Sequence, residues 1–198
     1  TATAGLPYSV EKQTGAQAGN FQKSIEYAKK LIANYPKSKW VDDAYLMWAQ
    51  ALLGKEDPLQ TVNMLQDFPT RYPGSVRKDD ATFYLGVAQR QARKHREALL
   101  SLDEYLEKAP NGELAPYAHL ERSRALMSLN RPTEAAQAAS QVIERFPKHP
   151  LVVRVRSARA EALLAGGDPA RARRDFQALG LRAVDDNERF TFLLREAD

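Results

Sequence analysis

Tyr35-Pro36-Lys37-Ser38-Lys39-Trp40-Val41-Asp42-Asp43-Ala44 returns, 37 residues later, as Tyr72-Pro73-Gly74-Ser75-Val76-Arg77-Lys78-Asp79-Asp80-Ala81. The proline keeps the same interval at Pro110 and Pro147, after Ala109 and Phe146. Other columns recur in step with it. One reads Ala51, Ala88, Ala125, Ala162, and another Ala49, Gly86, Ser123, Ala160. A third reads Ala44, Ala81, Ala118, Val155, and a fourth Thr61, Ala98, Ala135, Ala172. Two larger columns follow: Leu65, Leu102, Ala139, Phe176, then Phe68, Tyr105, Val142, Leu179. A fixed period of this length is the signature of a repeat architecture in which each unit buries its apolar face against its neighbours.

Each unit reads as two antiparallel helices. Ala44, Trp48, Ala51 and Leu52 follow one another at helical spacing, the apolar stripe of a first helix. Asp42-Asp43 and Asp79-Asp80 open two such helices, where carboxylates favour the positive end of the helix dipole. Breakers separate first from second helices at Gly54 to Pro58, Asn130 to Pro132 and Gly166 to Pro169. Asp57-Pro58 and Asp168-Pro169 place a capping acid before a proline at the first helical position. Small residues at the recurring columns let backbones approach, so leucine at Ala88 or Ala125 should overpack the seam by roughly 1–3 kcal/mol.

The register predicts a partial hairpin at 20–35, four full repeats over about 36–183, and the start of a further hairpin at 184–198. Residues 1–19, with Pro7 and Gly15, read as an irregular segment. An array that stops inside a hairpin leaves an apolar face bare where solenoids place a polar cap, so the chain is expected to be part of a longer protein.

Composition narrows the function classes. The chain has 198 residues, 43% of them apolar and 27% charged, the profile of a folded protein. It contains no cysteine, which removes disulfides and thiolate chemistry. No apolar run approaches the roughly 20 residues that cross a bilayer, and the N-terminus has no signal-peptide pattern. The net charge of +4, with a pI near 9.3, is a mild basic bias that tends to attract acidic partners.

The columns resemble the tetratricopeptide repeat across about residues 20–198. The unit is three residues longer than the usual 34, and the extra residues lie in the Pro-Lys-Ser-Lys-Trp and Pro-Gly-Ser-Val-Arg linkers. That longer unit is similar to repeats of BamD-type outer-membrane assembly lipoproteins and of Tol–Pal coordinator proteins. The resemblance implies an all-α, right-handed α-solenoid of helix hairpins whose first helices line a concave groove. It implies a protein–protein interaction scaffold, binding a peptide or partner protein in a bacterial envelope assembly. The expected location is the periplasm or the periplasmic face of the outer membrane, with the cytoplasm as the alternative. A superhelical accessory domain of a larger envelope enzyme is the second functional reading.

Carried onto this chain, the family's ligand-facing positions fall on Asp43, Leu46, Gln50 and Leu53, then Asp80, Phe83, Val87 and Arg90. The next set is Tyr117, Leu120, Arg124 and Met127, followed by Arg154, Ser157, Glu161 and Leu164. Phe83, Tyr117 and Leu120 are the expected apolar anchors, with Arg124 and Arg154 engaging acids. Chaperone-tail binding is not expected, because Leu46, Phe83, Leu120 and Ser157 stand where a carboxylate-clamp lysine would be.

No catalytic residue, metal or cofactor is expected. His95, His119 and His149, read as lying in a turn, a first helix and a linker, have no metal-ligand spacing. The Asp pairs recur at helix starts and are read as capping groups. Gly166-Gly167 follows no strand and precedes no Gly-Lys-Ser, so it does not cradle phosphate. Arg171, Arg173 and Arg174 form a basic run flanked by Asp168 and Asp175. Neither nucleic acid nor a small-molecule substrate is an expected partner, and membrane association is expected only through partners or a missing lipid anchor.

Overall fold

The computed structural model describes residues 15–180 of the chain, with side chains from residue 20 onward. The expected irregular segment before residue 15 and the expected further helix at 184–198 lie outside the described residues. The described residues form helices and turns only: α1 Gly15–Asn34, α2 Val41–Gly54, α3 Pro58–Leu65, α4 Phe68–Arg71, α5 Lys78–Gln91, α6 His95–Lys108, α7 Ala115–Ser128, α8 Pro132–Arg145, α9 Val152–Ala165 and α10 Pro169–Gly180. The fold is an α-solenoid of helix hairpins.

The helices keep the proline register. First helices α2, α5, α7 and α9 begin at 41, 78, 115 and 152, and each has 14 residues. Second helices α3, α6, α8 and α10 begin at 58, 95, 132 and 169. The turns between them repeat too. Glu56, Arg93, Asn130 and Gly167, one per repeat, have φ of 59°, 61°, 57° and 80°. This left-handed residue lets the chain reverse, and the amide that follows it reaches back to the first helix. Asp57 N bonds Leu52 O, Lys94 N bonds Gln89 O, Arg131 N bonds Leu126 O, and Asp168 N bonds Leu163 O. The capping acids act as expected: Asp57 accepts from Gln60 N at 3.2 Å and Asp168 from Arg171 N at 3.0 Å.

Two boundaries differ from the sequence reading. α1 begins at Gly15, five residues before the expected start. Gly15 stands at the first position, where the penalty that glycine brings to a helix interior is largely absent, and Gly19 is the one glycine that bears it inside α1. The second helix of the first repeat is interrupted after Leu65 and resumes as α4. Pro69 has no N–H for the Leu65 carbonyl and its ring would collide with it.

The chain divides into two compact units, residues 1–94 and 95–198. In the first, α1 packs on α2, α2 on α3, and α5 on α2, α3 and α4. Ile25, Ala51 and Leu52 pack with Phe21, Trp48 and Met64, and Tyr45 stacks among Phe68, Tyr72 and Trp48 with ring centroids 5.3–6.1 Å apart. In the second, α6 through α10 pack each on the next, and α7 also touches α9. One cluster joins Leu99, Leu126, Leu163, Phe176 and Leu179 around the small columns. Ser123, fully buried, donates from Oγ to Ala135 O at 2.9 Å, tying the small column of α7 to that of α8.

Candidate functional site

First helices are neighbours within each unit, α2 beside α5 and α7 beside α9, so their side chains can form a shared face. In the first unit the structure brings Asp43 and Asp80 together on one cation. Arg77 donates from Nε to Asp43 at 2.8 Å and from Nη1 to Asp80 at 3.3 Å. The hydrogen bond to Asp43, then the charges of both carboxylates, raise the Arg77 guanidinium above its ordinary range despite some desolvation. Ser75 Oγ donates to Asp42 at 2.7 Å.

The acid pair of one repeat therefore grips the linker of the next. Asp42 and Asp43 lie in the first turn of α2 as expected; Asp42 Oδ1 accepts from the first-turn amide of Asp43 at 3.0 Å, and both side chains also bond forward to the next linker. Sequence reasoning missed Ser75 and Arg77 as their partners. The available signal was a serine and an arginine in the linker one period ahead, and it was weak because the later linkers do not repeat them. Gln50 Nε2 donates to Tyr84 Oη at 2.6 Å, a second polar tie between α2 and α5. Arg90 is half-buried in the last turn of α5.

The expected apolar contact residues are interior, and this corrects their anchor role. Phe83 and Val87 have no exposed surface, and Leu46 and Leu53 are also buried. Phe83 meets Tyr84 edge-on at 5.1 Å on α5, which packs against α2, α3 and α4. Leu120 belongs to the core with Ala139, Val142 and Val155, wedged among α7, α8 and α9. Tyr117 is buried with its ring perpendicular to that of His149 at 5.4 Å. Burial, then the charge of Glu113, push its phenol up. A helix flanked on three sides by others has no wide apolar face left for a ligand, so large side chains at these positions fill the seams.

The polar candidates of the second unit have mixed fates. Arg124 donates from Nη1 to the buried carboxylate of Glu121 at 2.7 Å, which commits its charge to the fold. Met127 packs partly against the core, while Arg154 and Glu161 are exposed on α9. Ser157 Oγ contacts Glu161 at 3.5 Å, and Leu164 is partly buried.

A buried ionic cluster went unread in the sequence. Asp175, 1% exposed, accepts from Arg159 Nε at 2.7 Å and Nη2 at 2.6 Å, and from Arg156 Nη1 at 3.1 Å. Arg159 also donates to Ser140 Oγ at 3.2 Å. In the sequence Asp175 only flanks a basic run, whereas its partners lie 16 and 19 residues earlier, on the adjacent helix. His95 begins α6 rather than lying in a turn, because the left-handed residue Arg93 completes the turn two residues earlier. His119 is buried on α7 and His149 lies in a linker.

Among the described residues, no three His, Asp or Glu side chains stand close enough to hold a metal, and no helix is long and apolar enough to cross a membrane. A depression of about 210 Å³, lined by Thr133, Gln137, Leu163, Gly166, Asp168 and Arg171 among others, is smaller than typical ligand clefts.

Comparison with known proteins gives two family matches. A family described as "Outer membrane lipoprotein" matches residues 8–97, and one described as "Tetratricopeptide repeat" matches residues 115–188. No curated protein sequence matches the chain. Among solved structures, nearly identical TPR-like repeats of a putative kinesin light chain from Podosopora anserina superpose with a TM-score of 0.69 at 17% identity, covering 82% of this chain and 86% of that one. A MamA crystal structure gives 0.66 at 15% identity, covering 95% and 99%. BtubC (BKLC) from P. vanneervenii gives 0.67 at 11% identity, covering 93% and 82%. At these identities the likeness is one of fold.

Proposed function

We propose, for a chain that is a tetratricopeptide repeat protein related to the BamD-type outer-membrane lipoproteins, that it is a non-catalytic scaffold binding a partner protein or peptide in a bacterial envelope assembly. The repeat fold supports the scaffold reading, and the match over residues 8–97 supports an envelope location at the periplasmic side of the outer membrane. The binding faces we propose are the polar edges of the first helices, one in each unit: Asp43, Gln50, Asp80 and Arg90 in the first, and Arg154 and Glu161, beside Met127, in the second.

The observation that carries this assignment is the exposure of Arg154 and Glu161 on α9 while Leu46, Leu53, Phe83, Val87, Tyr117 and Leu120 are interior. Recognition on such a face is electrostatic and hydrogen-bonded, which sets partner choice and orientation more than raw affinity. The test is affinity capture from a bacterial envelope extract with the parent chain and with Arg154→Ala/Glu161→Ala. Thermal melting of both proteins establishes that the variant is folded. Loss of specific partners from the folded variant is the expected result. Retention of all of them at equal yield removes α9 from the binding face.

A further inference from the structure

Residues 20–41 carry the whole charge excess of the chain. They contain Lys23, Lys29, Lys30, Lys37 and Lys39 against a single acid, Glu26, and no arginine. Their formal charge of +4 equals that of the entire protein, and the remaining 24 basic and 24 acidic residues cancel. The same stretch carries the exposed aromatic surface. Tyr27, Tyr35 and Trp40 are 65%, 66% and 55% exposed, and they are the only aromatics among the strongly exposed large apolar side chains of the described residues.

The fold presents these groups on a helix stripe and the turn that follows it. On α1, Lys23, Tyr27, Lys30 and Asn34 follow one another at spacings of four, three and four, all exposed, while Ile25 and Ala28 are buried on the other side. The turn after α1 is ordered by Ser38: its N–H donates to Tyr35 O at 2.9 Å and its Oγ accepts from Trp40 N at 3.3 Å. That places Tyr35, Lys37, Lys39 and Trp40 at one corner, with Lys39 Nζ 4.9 Å from the Trp40 ring centroid. Lys30 pairs with Glu26 at 2.6 Å, so the single acid is already matched within the stripe.

We infer that this face docks on the headgroup layer of an anionic phospholipid bilayer. Tyrosine and tryptophan have an apolar body and a polar tip, which suits the boundary between headgroups and acyl chains. Lysine stems lie along apolar surface while their ammonium groups stay in water. All five cations are lysines. A folded acidic protein surface would favour the planar fork of arginine for paired carboxylates, whereas a diffuse lipid charge is met equally well by a point charge on a flexible stem. Each lysine near such a surface strengthens binding by roughly fivefold, and the attraction falls off within a Debye length of about 8 Å at physiological salt. The contact is peripheral, and it shares no residue with the partner-binding positions proposed above.

The experiment is sedimentation of the purified chain with vesicles of equal parts phosphatidylglycerol and phosphatidylcholine, and with vesicles of phosphatidylcholine alone. Binding to the first and not the second is expected, weakening as salt is raised. Lys23→Gln/Lys37→Gln/Lys39→Gln, at three exposed sites remote from the core, should weaken it by about a hundredfold. Tryptophan emission should shift to the blue on anionic vesicles, and Trp40→Phe should remove most of the shift, since the other indole, Trp48, is already half-buried against the core of the first unit with Lys29 over its ring. Absence of binding, equal binding to both vesicles, or undiminished binding by the triple variant would overturn the inference. So would preferential binding, in parallel assays, to a poly-glutamate peptide or a single-stranded oligonucleotide, which would make the face a site for acidic polymers.

Discussion

His119 shows what a single buried side chain does to the pH response of this fold. It lies in α7 with both ring nitrogens lacking a hydrogen-bond partner. Burial first, then the charges of Arg145 and Arg122, lower its pKa to about 4, against a smaller opposing effect of Asp103. A histidine whose folded value lies below its unfolded value of 6.5 takes up protons more readily when the chain unfolds. Its stabilising contribution is complete above pH 6.5 and is lost as pH falls from there toward 4. At about 1.4 kcal/mol per pH unit, the loss between pH 7 and pH 5 should be about 2 kcal/mol. His119→Leu removes the titrating group and two unsatisfied polar atoms, so its urea midpoint should fall less over this interval than the parent's, the remainder coming in part from His149, whose pKa burial also lowers. Equal losses in the two proteins would mean that His119 is not the group responsible.

At the scale of the helix and its turn, the left-handed position is the informative one. Glu56, Arg93, Asn130 and Gly167 occupy it in successive repeats. Asparagine and glycine are at home there, whereas a residue with a long side chain costs roughly 1 kcal/mol or more. The turns at Asn130 and Gly167 could be read in the sequence because their residues match the backbone they adopt. The turn at Arg93 left no such signal, and its place followed only from the period. Arg93→Gly should raise stability by about 0.5–1 kcal/mol, seen as a higher urea midpoint with an unchanged slope. A fall in midpoint would show that the Arg93 side chain contributes more to the fold than its backbone strain costs. The break at Pro69 was likewise present in the residues, but a repeat-averaged reading passed over it because the other three repeats lack that proline.

At the scale of each whole unit, packing runs mainly from neighbour to neighbour. Among the described helices of the second unit, α10 rests on α9 alone, and α9 connects it to α8 and α7. In such an array a local defect is felt mainly by adjacent elements. Asp175→Asn leaves Arg156 and Arg159 without their shared carboxylate, in a position where the pair is mostly shielded from water. Breaking a buried ion pair from one side costs several kcal/mol, about 3–5 for full burial and less here because the arginines are partly exposed. Amide hydrogen exchange should therefore accelerate most in α9 and α10 and least in α6. Uniform acceleration from α6 to α10 would mean that the unit opens as one block.

The sequence by itself determined the period, the class of fold and the capping acids Asp57 and Asp168. All of these are set within a few residues or by a recurring column, and recurrence averages away the noise of any single site. Only the tertiary structure decided which side chains are available to a partner. Phe83, Val87, Tyr117 and Leu120 occupy positions that face ligands in the resembled family, yet here they are covered by adjacent helices. The ties of Asp43 and Asp80 to Arg77, and of Asp175 to Arg156 and Arg159, depend on which helix lies across from which. Burial and pairing are properties of the space between elements, and a linear pattern fixes the direction of a side chain without saying what waits at its tip.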